Sequence, residues 1–279
     1  MDIILIISSG GLLISLITAC YYYLAHITNK PFALLKHIQS IEKEDKTNII
    51  FLIDEFWDDK LDKDLSKYVI DTDDDEKFIE TIHHIQTSKK EKSLSIIIYT
   101  RGGSIASSDM IVDILLNYEE PVNIYIPTFA YSAGTMIALC GDTLFMNQYS
   151  ILGPVDPQIS YSVDEKIDDD ASSRCLMQLV EDKNIDEISD DIYLKAIESK
   201  FLHEDNIQNL QNIITKRNLN LSKKRKNTII KEFGSGLHPH HKPFNINKIK
   251  SMHIPVMSPV PLKYNTLLTM YAAYKNKFY

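Results

Sequence analysis

Short apolar runs alternate with amphipathic stretches through the middle of this chain. Residues 48–53, 94–99, 122–126 and 143–146 are continuous and rich in Ile, Val, Leu and aromatics, the pattern of strands buried on both faces. Between them, 104–118 carries Ile105, Met110, Ile111, Ile114 and Leu115 at helical spacing, and Glu119-Glu120-Pro121 breaks it. Residues 77–84 and 132–140 also read as helices. Strands alternating with helices predict right-handed crossovers and a largely parallel sheet, so the class is α/β.

The flanks read differently. Residues 31–47 predict a charged helical connector, and the acidic runs at 71–76 and 162–170 predict solvated loops. Residues 171–182 and 190–202 predict helices, followed by a long polar helix or pair of helices up to Phe233. Gly234-Ser235-Gly236 stops that stretch as a C-cap. Residues 254–256 predict one more strand. Residues 262–274 predict a last helix with Leu267, Leu268 and Tyr271 on one face.

The N-terminus changes the picture. Residues 3–25 carry no charge and are long enough to cross a bilayer as a helix, with Tyr21, Tyr22 and Tyr23 placed for one interface. A secretory signal fits less well, because Asp2 is the only charged side chain before the run and the run is too long. A buried core helix fits less well again, because the run has no polar face. The expected organisation is a transmembrane anchor at 1–30 and one domain at 31–279. Lys30 and Lys36 follow the run and place that domain on the cytoplasmic side, a single-pass membrane arrangement.

Composition adds exclusions. The chain has 279 residues, 44% hydrophobic and 24% charged, enough to bury a core. A net charge of −8 argues against a nucleic-acid partner. Cys20, Cys140 and Cys175 have neither metal spacing nor a disulfide framework and read as structural.

Candidate chemistry sits in two turns. Thr100-Arg101-Gly102-Gly103-Ser104 and Tyr131-Ser132-Ala133-Gly134 each link a β-type run to a helical one. A serine at a helix start lies beside amides that no helical carbonyl satisfies, a setting that suits a nucleophile with an oxyanion hole. Taken alone, Ser132 is an ordinary N-cap and the glycines an ordinary tight turn.

The order RGGSI, YSAGT, GPVDPQ resembles the serine dehydrogenase proteinase family, relatives of signal peptide peptidase A and the Clp protease subunit within the Clp/crotonase superfamily. The resemblance spans residues 48–258 and is strongest over 94–159. It implies a spiral of ββα units with additional C-terminal helices. It also implies a membrane-anchored serine endopeptidase with Ser132 as nucleophile, and an oxyanion hole from Ala133 and Gly103, or its neighbour Gly102. A homo-oligomer is implied, as are peptide or protein substrates, which would pair with the Gly-Gly strand edge.

The base is open. The Clp-type histidine position falls within residues 153–158, where this chain has Asp156 and no histidine. Lys195 resembles the lysine of an aspartate-rich helix in the family. His240, within His238-Pro239-His240-His241, resembles the family's His-x-x-Pro element, and Asp156 would then orient it. In Gly-Pro-Val-Asp-Pro, Asp156 also suits an Asx-turn. The three close histidines have no acidic or cysteine ligand pattern beside them, so no metal is assigned. No G-x-G-x-x-G or Schiff-base pattern occurs, and no cofactor is expected. The rival classes are a catalytically impaired scaffold of the same fold at the membrane, and a crotonase-type acyl-CoA enzyme.

Overall fold

Alternate side chains along the central strands enter two different apolar layers, and that division organises the molecule. The computed structural model describes residues 30–53, 68–72, 74–88, 92–163, 167–217 and 221–275. In chain order the first elements are α1 (Lys30–Asp45), β1 (Thr47–Ile53), β2 (Val69–Ile70), α2 (Asp75–Ser88), β3 (Ser93–Tyr99) and α3 (Ile105–Leu116). Next come β4 (Val122–Ile126), β5 (Phe129–Ala130), α4 (Ala133–Ala138), β6 (Thr143–Met146), β7 (Ile151–Leu152), β8 (Gln158–Val163) and β9 (Ile167–Ser172). The chain continues with α5 (Ser173–Asp182), α6 (Asp190–Lys216), α7 (Lys223–Gly234), β10 (Phe244–Asn245), α8 (Ile246–Ser251), β11 (Val256–Met257) and α9 (Leu262–Tyr274).

Six strands form one sheet in the order β11-β6-β4-β3-β1-β2, every pair parallel. Ile50, Leu52, Ile96, Ile98 and Ile124 face one layer, with Phe78, Ile111, Leu115, Ile137, Leu210 and Phe233. Phe51, Ile53, Ile97 and Tyr125 face the other, with Leu34, Ile38 and Ile41 of α1 and Leu267, Leu268 and Tyr271 of α9. Coverage on both faces is why these strands read as unbroken apolar runs. Each fully buried Ile, Leu or Phe contributes about 1.5–3 kcal/mol, so Phe51→Ala in this layer costs about 3–5 kcal/mol.

The α/β class with a parallel sheet therefore stands, and several local expectations are corrected. Residues 31–47 are helical as expected but more than a connector: α1 buries an i, i+4, i+7 stripe, and Lys263 of α9 bonds Glu44 at its end. The acidic run at 71–76 is only partly a loop, because Asp75 and Glu76 form the first turn of α2, where carboxylates favour the helix dipole. The Asp74 side chain caps that turn by accepting from the Lys77 amide at 3.0 Å. Residues 162–170 are mostly strand: β8 and β9 pair antiparallel from Gln158↔Ser172 to Val163↔Ile167. A two-stranded ribbon outside the main sheet needs no apolar face, so composition hid it.

Because the sheet is parallel, the chain leaves β3 and β4 at the same edge, where the two turns lie. A small sheet, β10-β7-β5, brackets this edge. Residues 3–25, the expected anchor, lie outside the described residues. Among the described residues no helix is long and apolar enough to cross a membrane.

Candidate active site

The two turns are stitched together by backbone. The Tyr131 amide donates to the Thr100 carbonyl at 3.0 Å, and Thr100 bridges Ala130 in parallel. Gly102 has φ +136, and a Cβ there would stand 2.8 Å from Ser132 Cβ. Only glycine adopts that backbone and permits that approach. The Gly102 carbonyl accepts from Thr72 Oγ1 at 2.7 Å and from Thr100 Oγ1 at 2.9 Å. The Gly102 amide donates to Thr100 Oγ1 at 3.0 Å. Of the glycine pair, Gly103 is the one whose amide this lock does not engage.

Ser132 heads α4 with φ 49 and ψ −122, and its hydroxyl makes no capping hydrogen bond. The N-cap role that a serine usually takes here is thus not used. The Ser132 carbonyl accepts from the Thr135 and Met136 amides at 2.9 and 3.1 Å. Ala133, the first helical residue, has an amide with no carbonyl of its own helix to meet.

The third motif is fastened to α4. Thr135 Oγ1 donates to the Ala130 carbonyl at 2.7 Å and accepts from the Gly153 amide at 3.0 Å. Three residues on, Asp156 is 1% exposed. Its Oδ1 meets His240 Nδ1 at 3.0 Å, and its Oδ2 accepts from Gln158 Nε2 at 2.8 Å. Both carboxylate oxygens are therefore satisfied, as a buried carboxylate requires. With Nδ1 held by Asp156, Nε2 is the ring nitrogen of His240 left for other work.

The segment carrying His240 is anchored on both sides. Glu232 of α7 bonds His238 Nε2 at 2.8 Å and Lys248 Nζ at 2.8 Å. The Lys248 hydrogen bond, seconded by His238, holds the Glu232 carboxyl below the usual carboxylate range. Beyond the loop, Phe244 and Asn245 of β10 pair with Leu152 and Ile151 of β7.

Gly102, Gly103, Ser132, Ala133, Asp156 and His240 all line one open cavity of about 590 Å³. Lys195 is not among its lining residues. It sits on α6 with Nζ 3.4 Å from Asp191 Oδ2, an i, i+4 pair along the helix surface. His238 and His240 bond different carboxylates instead of converging. Among the described residues no group of three His, Cys, Asp or Glu is placed to hold a metal ion. Burial pushes the Cys140 thiol up to about 12, which leaves it inert as a competing nucleophile.

The sequence reading missed several lining residues, among them Asp71, Thr72, Asp109 and Asn206. The acidic run hid the first two, and helical periodicity treats Asp109 and Asn206 as polar-face residues. His203 of α6 is not among the lining residues. Burial lowers its pKa, with Arg174 pushing the same way and Asp156 and Glu204 opposing.

A family model for ClpP-like SDH-type serine proteinases matches residues 7–277. Two proteins of Methanocaldococcus jannaschii are similar. Uncharacterized protein MJ0137 is 27% identical over 193 residues, 69% of this chain and 63% of its own length. Uncharacterized protein MJ1495 is 26% identical over 203 residues, 69% of this chain and 61% of its own. The chain thus spans about three-fifths of the length of these curated relatives. Among solved structures, a serine-to-alanine mutant of the 1510-N membrane-bound stomatin-specific protease is 16% identical with a TM-score of 0.45, over 80% of this chain and 84% of that one. ClpP1 from Listeria monocytogenes is 13% identical with a TM-score of 0.44, over 77% and 92%.

Proposed function

The chain belongs to the family of ClpP-like SDH-type serine proteinases, and we propose on that premise that it is a membrane-anchored serine endopeptidase working through an acyl-enzyme on Ser132. The observation that carries this reading is the Asp156–His240 pair, lining the same cavity as a serine whose hydroxyl caps nothing.

Asp156 accepts a hydrogen bond from the Nδ1–H of His240 and fixes the tautomer, so Nε2 takes the proton from Ser132 as its oxygen attacks a peptide carbonyl. The carbonyl oxygen gains negative charge and is met by the Gly103 and Ala133 amides. His240 then returns the proton to the amine as the C–N bond breaks, and water, deprotonated the same way, cleaves the ester. Lys195 has no part in this relay. Extended peptide substrates pair with the strand edge beside Gly102-Gly103. Residues 3–25 anchor the chain, with the catalytic domain cytoplasmic by the flanking Lys30 and Lys36. Leu194, Ile197 and Phe201, exposed on α6, offer apolar surface for assembly into a homo-oligomer.

Fluorophosphonate labelling tests the relay. The expected outcome is labelling of the native protein and of Lys195→Ala, none of Ser132→Ala, and at least about a hundredfold slower labelling of His240→Ala. Unchanged labelling of Ser132→Ala would place the nucleophile elsewhere. Unchanged labelling of His240→Ala together with loss in Lys195→Ala would hand the proton transfer to the lysine.

A further inference from the structure

The cavity around Ser132 contains a carboxylate for which acyl transfer has no use. Asp109 lies one turn into α3, half-buried, and lines the cavity. Its Oδ1 accepts from Asn209 Nδ2 of α6 at 2.9 Å. Among the described residues no lysine or arginine is paired with it. Its charged neighbour is Asp205, a like charge, which adds to the effect of burial in raising the Asp109 pKa. Of the other charged lining groups, Asp156 is bonded to His240, and Asp71 and Arg101 come from the turns at the sheet edge.

Around this carboxylate the walls are of two kinds. Ile105, Met136 and Val155 supply apolar surface. Asn206, 5% exposed, supplies a buried amide on the same cavity. A half-buried anion with no counter-ion is unfavourable alone and becomes favourable when a cation reaches it. Lysine and arginine side chains fit both kinds of wall, because their methylene stems lie on apolar surface while the charged tip finds the carboxylate. A neutral apolar side chain would cover Asp109 without pairing it, and an acidic one would add repulsion.

We propose that Asp109 is the specificity-determining residue of this cavity, selecting a peptide with a lysine or arginine side chain beside the bond that Ser132 attacks. The assignment rests on the serine-peptidase reading above and narrows its substrate class to basic peptides. One charge-assisted hydrogen bond made in the bound state corresponds to a preference of about tenfold to a hundredfold.

The test uses the full chain and three phosphonate probes. A plain alkyl fluorophosphonate reads only whether Ser132 is activated. Two peptidyl phosphonates differ solely in the side chain beside phosphorus, one ending in butylammonium and the other in butyl. The expected result is labelling at least about tenfold faster by the ammonium probe, a preference abolished in Asp109→Asn while plain labelling of that variant is unchanged. Equal rates for the two peptidyl probes, or a preference that survives Asp109→Asn, would overturn the assignment and leave the nucleophile standing. Absence of plain labelling strikes the nucleophile instead. Calorimetric binding of lysine- and norleucine-containing heptapeptides to the Ser132→Ala protein then decides Asp109 independently. Tighter binding of the lysine peptide supports its role and equal affinities overturn it.

Discussion

At Ser132 the backbone takes φ 49 and ψ −122, a conformation that glycine enters freely and that costs a side-chain-bearing residue about 1–3 kcal/mol. Surrounding structure holds it there: the Ser132 carbonyl accepts two helix amides, and Tyr131 is bonded to Thr100. The strain gives a stability signature separate from chemistry. Ser132→Ala keeps the strain and should leave Tm within about 1 °C, whereas Ser132→Gly should raise it by about 2–4 °C, the equivalent of about 1 kcal/mol for a chain of this size. Calorimetry on the two variants checks this, and a glycine variant no more stable than the alanine one would mean that no strain is stored. None of this was legible in the sequence, where YSAGT marks the serine and says nothing of its φ. The base was half legible: the sequence offered His240 oriented by Asp156 beside Lys195 and gave no ground for choosing between them. Family spacing leads to Asp156, and the partner of Asp156 comes from a loop whose position depends on how β10 meets β7. Lys195, the other candidate by resemblance, pairs with Asp191 one helical turn away and is not among the residues lining the cavity.

Strands and helices were legible where burial is two-sided or periodic. β1, β3 and β4 are buried on both faces, so no alternation was needed to find them, and β6 alternates buried with half-buried positions. The β8–β9 ribbon failed this criterion, since its run of acidic residues mimics a loop. α1 was recognised as helical, yet its stripe of Leu34, Ile38 and Ile41 was not given a partner, because α9 lies at the far end of the sequence. One small element controls the site in a testable way. Glu232 ties α7 to His238 and to Lys248 of α8, on both sides of His240. Its pKa is depressed in the folded protein, so its contribution to stability is fully present above the ordinary value of 4.5 and is lost as pH falls through the folded value. Glu232→Gln should therefore flatten the Tm–pH curve on its acid side below the ordinary value of 4.5, and slow labelling of Ser132 at neutral pH. A curve that keeps its full acid slope in the variant would show that the clamp contributes nothing.

For the molecule as a whole, the parallel sheet brings the turns after β3 and β4 to one edge, and a loop carrying His240 adds to the lining of the open cavity beside them. Membership of the family was legible from three motifs in order, because each is a tight turn whose residue types are dictated locally. The proposed membrane anchoring by residues 3–25 is tested at this scale. Removing residues 1–29 should shift the protein from the membrane pellet to the soluble fraction while fluorophosphonate labelling persists. Sedimentation of the shortened chain with membranes would rule out that segment as the anchor.

The relay pair consists of side chains 84 residues apart. During synthesis Gly103, Ser132, Ala133 and Asp156 are all made well before His240. Even then, His240 needs β10 to add to the edge strand β7 before it meets Asp156. On the proposed relay, a growing chain would stay catalytically silent until residues 238–245 had emerged and docked.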